Sequence, residues 1–291
     1  MITGSIVALA TPFRADGSIN FDALGKWIEF QIAGGTDAIL VLGTTGESST
    51  MSHEEDESIC AFALERIAGR AKLIAGSGSN STETQLMKSK RYAEMGADAV
   101  LCISPYYNKT NEEGMYRHFA TVADAITCPV IAYNVPGRTG CSISTSVVKR
   151  MSEHGNFMGI KEASGNMSYA MKIAGYLNDH FTMYSGNDDI TIPLMSIGAK
   201  GVISVWANIM PRECSQMVHA YLEGRHEEAA RMQIEYLKIM NDLFIEVNPI
   251  PVKEAMNLMG MDAGSFRLPL YPMTDAHREA LAATMKEYGL L

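Results

Sequence analysis

Lys161 interrupts a short apolar run, Phe157-Met158-Gly159-Ile160-Lys161-Glu162-Ala163-Ser164. The run has the length and composition of a strand, and Gly165 closes it. An ammonium at the inner tip of a buried strand is costly. As a neutral amine it is a nucleophile that can add to a carbonyl and form a Schiff base. A lysine of ordinary pKa, about 10.4, is neutral roughly once in 2,500 at pH 7. Lowering that value to about 7 takes about 4.6 kcal/mol of bias, within what burial and neighbouring charge supply. The plain alternative is a strand-end lysine that buries its stem and keeps its charge in water.

Other polar side chains follow short apolar runs in the same way. They occur in Gly43-Thr44-Thr45-Gly46-Glu47-Ser48, Gly76-Ser77-Gly78-Ser79-Asn80 and Ser104-Pro105-Tyr106-Tyr107-Asn108. Further on come Tyr133-Asn134-Val135-Pro136-Gly137-Arg138-Thr139-Gly140 and Ser185-Gly186-Asn187-Asp188-Asp189. Tyr133 either fills a core or moves protons through its hydroxyl beside a Schiff base. Arg138 is either a solvated loop charge or a planar fork for a carboxylate. Thr44 and Thr45 either cap a tight turn or, with backbone N–H groups, hold a carboxylate. Asp188 and Asp189 read as a cap for the helix that follows. The Gly43 loop lacks the Gly-Lys-Ser/Thr ending of a P-loop, and Ser81 spoils a dinucleotide fingerprint after Gly76.

These groups need elements to bring them together. Candidate strands are Ser5–Ala10, Ala38–Leu42, Lys72–Ala75, Ala99–Ile103, Val130–Tyr133, Met158–Lys161, Phe181–Tyr184 and Gly201–Val205. Amphipathic segments separate them, as in Met115, Phe119, Val122, Ala123 and Ile126. Ser52 is a candidate helix cap, and Pro211 suits a first helical turn. Eight βα units predict an α/β (β/α)8 TIM barrel whose chemistry lies at the C-terminal ends of its strands. The barrel is expected over residues 1–224, with a helical extension over 225–291. There Tyr236, Leu237, Met240, Leu243 and Phe244 predict one helical face, and Asn248-Pro249-Ile250-Pro251 a break.

Composition narrows the function. The 291 residues carry a net charge of −9, which argues against a nucleic-acid partner. No apolar run is long enough to span a membrane, and the first residues carry no basic leader. Cys60, Cys102, Cys128, Cys141 and Cys214 are scattered and read as reduced thiols of a cytoplasmic protein. The histidines show no metal-binding spacing, so no metal is expected.

Taken together, Gly43-Thr44-Thr45-Gly46-Glu47, Tyr133 to Gly140 and Gly159-Ile160-Lys161-Glu162-Ala163 resemble the dihydrodipicolinate synthase family of pyruvate-dependent class I aldolases. Ser104-Pro105-Tyr106-Tyr107, Gly201-Val202-Ile203-Ser204 and Asn248-Pro249-Ile250-Pro251-Val252-Lys253 match as well, so the likeness spans the chain. It implies a lyase of lysine and diaminopimelate biosynthesis that condenses pyruvate with aspartate 4-semialdehyde and needs no cofactor.

The resemblance makes Lys161 the Schiff-base lysine, Tyr133 the proton carrier, and Thr44 and Tyr107 its relay partners. It gives Thr45 the pyruvate carboxylate, Arg138 the semialdehyde carboxylate, and Gly186 and Ile203 the pocket wall. It implies a homotetramer built as a dimer of dimers, with Tyr107 serving a neighbouring subunit. Ser48, His53, Asn80 and Tyr106 match a lysine-responsive allosteric pocket. Asp56 and Thr84 stand where inhibited members carry histidine and glutamate, so weak or absent lysine inhibition is expected. The alternatives are N-acetylneuraminate lyase, a keto-deoxy sugar-acid aldolase, or a non-catalytic barrel that binds a keto acid.

Overall fold

A computed structural model describes residues 1–291. Eight strands close into a parallel barrel in sequence order. They are β1 Gly4–Ala8, β2 Ala38–Val41, β3 Lys72–Gly76, β4 Ala99–Ile103, β5 Val130–Asn134, β6 Phe157–Glu162, β7 Thr182–Ser185 and β8 Gly201–Ser204. Each expected strand is present within two residues at either end. The helices between them are α1 Phe21–Ala33, α2 His53–Ile67, α3 Thr82–Met95, α4 Glu112–Ala123, the single turn α5 Pro136–Thr139, α6 Thr145–Ser152, α7 Met167–Ala174, α8 Thr191–Ser196 and α9 Pro211–Leu222. Ser52 caps α2 with a full capping box to Glu55, and Pro211 opens α9.

Period-two alternation sorts the strand residues. Ile6, Leu40, Leu101, Ile131 and Tyr133 fill the barrel interior. Val7, Ile39, Val41, Val100 and Ala132 face the helical layer. Parallel neighbours in register share a face, so the pairing of Tyr133 with Lys161 turns Lys161 inward. That pairing depends on a slip. Val130 pairs with Phe157, but the next residue, Ile131, pairs with Gly159. One extra residue in β6 is thereby absorbed, as in a bulge that re-aims a side chain. Gly159 is required at this place, because a Cβ there would lie 2.3 Å from the Thr182 carbonyl oxygen.

The C-terminal segment forms α10 His226–Glu235, α11 Leu237–Asp242, α12 Ile250–Leu258 and α13 Asp275–Glu287. The single face expected from Tyr236 to Phe244 is divided. Tyr236 (φ −92°, ψ 3°) separates α10 from α11, and α11 ends at Asp242, before Leu243 and Phe244. Met240 and Leu243 are buried, while Leu237 and Phe244 remain partly exposed.

This segment is anchored to the barrel by a buried ion pair. Lys253 Nζ lies 2.7 Å from Glu47 Oε1, with both side chains fully inaccessible. Lys253 also donates to the Ser265 carbonyl at 2.6 Å, and the Arg267 N–H donates to Glu47 Oε2 at 3.2 Å. Removing one partner of such a pair strands the other charge in a low-dielectric interior. Lys253→Met is therefore expected to lose about 3–5 kcal/mol of stability in urea unfolding. Adding Glu47→Gln should restore most of that loss. A double variant as unstable as the single one would contradict this account of the pair.

Candidate active site

The C-terminal ends of all eight strands open into one cavity of about 450 Å³. Lys161, Tyr133, Thr44, Thr45, Arg138 and Gly186 all stand on its wall. Residues more than a hundred positions apart in sequence thus share one space, as the barrel reading requires.

Lys161 is only 6% exposed. Its Nζ sits 4.5 Å from the centre of the Tyr133 ring. Burial lowers the lysine pKa to about 8, the nearby Asp188 carboxylate opposes this, and the Arg138 cation adds to it. Burial raises the Tyr133 pKa, against the pull of Arg138 and of the Thr44 side chain. A tyrosine kept protonated beside a partly neutral amine is equipped to give and take protons.

The loop after β2 presents the two threonines. Gly46 and Glu47 close a turn through N–H bonds to the carbonyls of Gly43 and Thr44, at 3.0 and 3.1 Å. Thr11 Oγ1 donates to the Gly46 carbonyl at 2.7 Å, and Glu47 carries the Lys253 pair. Thr45 Oγ1 accepts from Asn248 Nδ2 at 3.0 Å. Its own hydroxyl proton is then free for a ligand. Arg138, on the single turn α5, donates from Nη2 to the Asn248 carbonyl at 3.0 Å. Asn248 thus fastens both carboxylate-binding candidates from the C-terminal segment. Gly186 is fixed by space, since a Cβ there would come 2.5 Å from that of Ala163.

Three expected residues fall off the wall of this space. Ile203 lies in the packed interior layer, away from the cavity wall. Tyr107 is 91% exposed, with φ 68°, and does not line the cavity of its own chain. Asn80 is also off the wall, its carbonyl accepting from Asn108 Nδ2 at 3.0 Å. Ser48, His53 and Tyr106 do line the cavity, alongside Asp56, Thr84 and Lys88. Asp56 and Lys88 form a shielded pair at 2.8 Å, and burial raises the Asp56 pKa.

Asp188 corrects one expectation. It does not cap a helix with its side chain. Its carboxylate Oδ2 accepts the N–H groups of Val205 and Trp206 at 3.0 and 2.9 Å, just past β8. Burial raises the Asp188 pKa, against the Ser204 hydroxyl, these two N–H groups and Lys161, so a buried carboxyl group is placed near Lys161 in this way. The sequence offered a signal, an acidic residue two positions after the glycine that follows β7, but not its partner. Glu162, next to Lys161, is a structural group: it accepts from Asn134 Nδ2 and from the Ser164 N–H, each at 2.7 Å.

Comparison with known proteins agrees with this arrangement. The model of the Dihydrodipicolinate synthetase family matches residues 1–288. A relative from Pelobacter propionicus named 4-hydroxy-tetrahydrodipicolinate synthase is 47% identical over 291 residues, covering 100% of both chains. The crystal structure of dihydrodipicolinate synthase from Aquifex aeolicus superimposes with a TM-score of 0.96 at 45% identity, covering 99% of this chain and 98% of that one. A chloride-inhibited dihydrodipicolinate synthase from Acinetobacter baumannii, complexed with pyruvate, gives a TM-score of 0.97 at 39% identity with 100% of both chains covered. Sequence, fold and cavity converge, and the chain belongs to the dihydrodipicolinate synthetase family.

Proposed function

We infer that this chain is a 4-hydroxy-tetrahydrodipicolinate synthase, a lyase that condenses pyruvate with L-aspartate 4-semialdehyde in lysine and diaminopimelate biosynthesis. The observation that carries the chemistry is the buried Lys161 amine, with its lowered pKa, beside Tyr133 in a cavity that also holds Thr45 and Arg138. Neutral Lys161 Nζ adds to the keto carbon of pyruvate, and water leaves to give an iminium. The iminium draws electrons from a methyl C–H bond, the proton passes to the Tyr133 relay, and an enamine remains. The enamine carbon attacks the aldehyde carbon, whose oxygen takes up a proton. The amino group of the former semialdehyde then adds to the iminium carbon and displaces Lys161, which closes the ring. The lysine itself supplies the electron sink, so the reaction calls for no cofactor.

In this scheme Thr45 holds the pyruvate carboxylate and Arg138 that of the semialdehyde, a fork well matched to two oxygens. Gly186 lines the pyruvate end, and Ile203 supports it from the packed layer beneath. Thr44 passes protons between Tyr133 and Tyr107 of a neighbouring subunit. The exposure of Tyr107 and its place off the local wall support that arrangement, in a homotetramer of paired dimers. Free thiols at all five cysteines support a cytoplasmic location. No helix is long and apolar enough to cross a membrane. A sugar-acid lyase fits less well, because Arg138 and the Thr44-Thr45 pair favour a short carboxylate substrate.

The purified protein is expected to consume pyruvate with aspartate 4-semialdehyde and to leave N-acetylneuraminate uncleaved. Millimolar lysine should inhibit weakly or not at all, because Lys88 already pairs with Asp56 Oδ2 and Thr84 supplies no carboxylate. Cleavage of the sugar acid without condensation would refute the assignment, and strong inhibition at sub-millimolar lysine would refute the reading of the pocket.

The nucleophile is neutral above its pKa, so kcat/KM for pyruvate should rise as pH increases through about 8. Asp188 favours the lysine cation. Asp188→Asn should therefore shift this acidic limb to lower pH by about one unit. An unmoved limb in the folded variant would exclude Asp188 as a counter-charge to Lys161.

A further inference from the structure

Two side-chain amide oxygens in the catalytic cavity are buried without a donor. One is Asn248 Oδ1, and the other is Asn187 Oδ1. Both residues stand on the cavity wall with Lys161 and Arg138. Asn248 is 5% exposed, and its Nδ2 is committed to Thr45 Oγ1 at 3.0 Å. With Nδ2 donating to Thr45, Oδ1 has no protein partner. Buried amide oxygens rarely go unpaired, and an orphan on the wall of a site calls for a donor from a ligand.

The attachment of Asn248 to Arg138, on the cavity wall that Asn187 shares, points to the donor. Arg138 Nη2 is bonded to the backbone carbonyl of Asn248, so the guanidinium and the Asn248 amide occupy one corner of the cavity. A carboxylate and an N–H donor on the same carbon atom match that corner. We propose that Asn248 Oδ1 and Asn187 Oδ1 form an amine subsite that, together with Arg138, receives the α-amino-acid end of the aldehyde substrate. The proposal rests on the condensation read above and adds the basis of its selectivity. An amide oxygen accepts from the nitrogen both as ammonium and as the free amine that closes the ring. The subsite thus holds that nitrogen through its change of protonation. A carboxylate at these places would favour the ammonium and hinder its deprotonation. Asn248 is also a positioning residue, because its Nδ2 sets the Thr45 hydroxyl and its carbonyl sets Arg138.

Succinic semialdehyde keeps the aldehyde and carboxylate and lacks the amine. Wild-type protein, assayed with pyruvate and each aldehyde in turn, should favour the aminated one by about tenfold or more in the kcat/KM of its first condensation. Asn187→Ala should reduce that preference severalfold without raising KM for pyruvate. Asn248→Ala should reduce it too, and should also raise KM for pyruvate through the lost Thr45 bond. Equal losses for both aldehydes in the two variants, or a wild type with no preference, would overturn the subsite while the condensation stands. Absence of condensation with either aldehyde would overturn both.

Discussion

Lys161 Nζ lies where eight strand ends converge, and its removal from water governs the chemistry around it. Burial brings its pKa to about 8, a bias of about 3 kcal/mol toward the neutral amine. At pH 7 roughly one lysine in ten is then nucleophilic, against one in thousands for an exposed side chain. The shift stops short of neutrality because Asp188 faces the amine from the loop after β7. This balance suits a residue that must be neutral to attack and then carry a positive iminium. An amine buried with no counter-charge would attack readily and stabilise its own intermediate poorly.

The rest of the site depends on attachments made far from the lysine. The threonine loop after β2 is tied by Glu47 to Lys253, 206 residues later in the chain. Asn248, in the same C-terminal segment, touches Thr45 and Arg138. The helical extension therefore helps to build the cavity, since it holds the groups proposed to receive the two substrate carboxylates. Buried polar pairs of this kind add little net stability, but they fix geometry, which is what a site built from eight separate strand ends requires.

The barrel was legible because its signal is local and repeated: short apolar runs, amphipathic segments between them, and caps such as Ser52. Lys161, Tyr133, Thr44, Thr45, Arg138 and Gly186 were legible because every strand end in this fold opens on the same face. Contacts across long separations were not. Glu47 and Lys253 each sat in a quoted motif, yet nothing in either motif names the other. Asp188 read as a cap until β8 supplied the N–H groups it accepts. Asn187 and Asn248 were visible as residues, but only their unpaired oxygens reveal a subsite. Asn80 and Ile203 lie off the wall of that cavity, a placement their motifs do not state. The expected face from Tyr236 to Phe244 is buried at Met240 and Leu243 and exposed at Leu237 and Phe244, the last of these past the end of α11.

The most direct measurement is reductive trapping of the protein with pyruvate and borohydride, followed by peptide mass spectrometry. The account predicts a single carboxyethyl adduct on Lys161, formed more readily as pH rises through about 8. An unmodified Lys161, or an adduct carried by exposed lysines in its place, would contradict it.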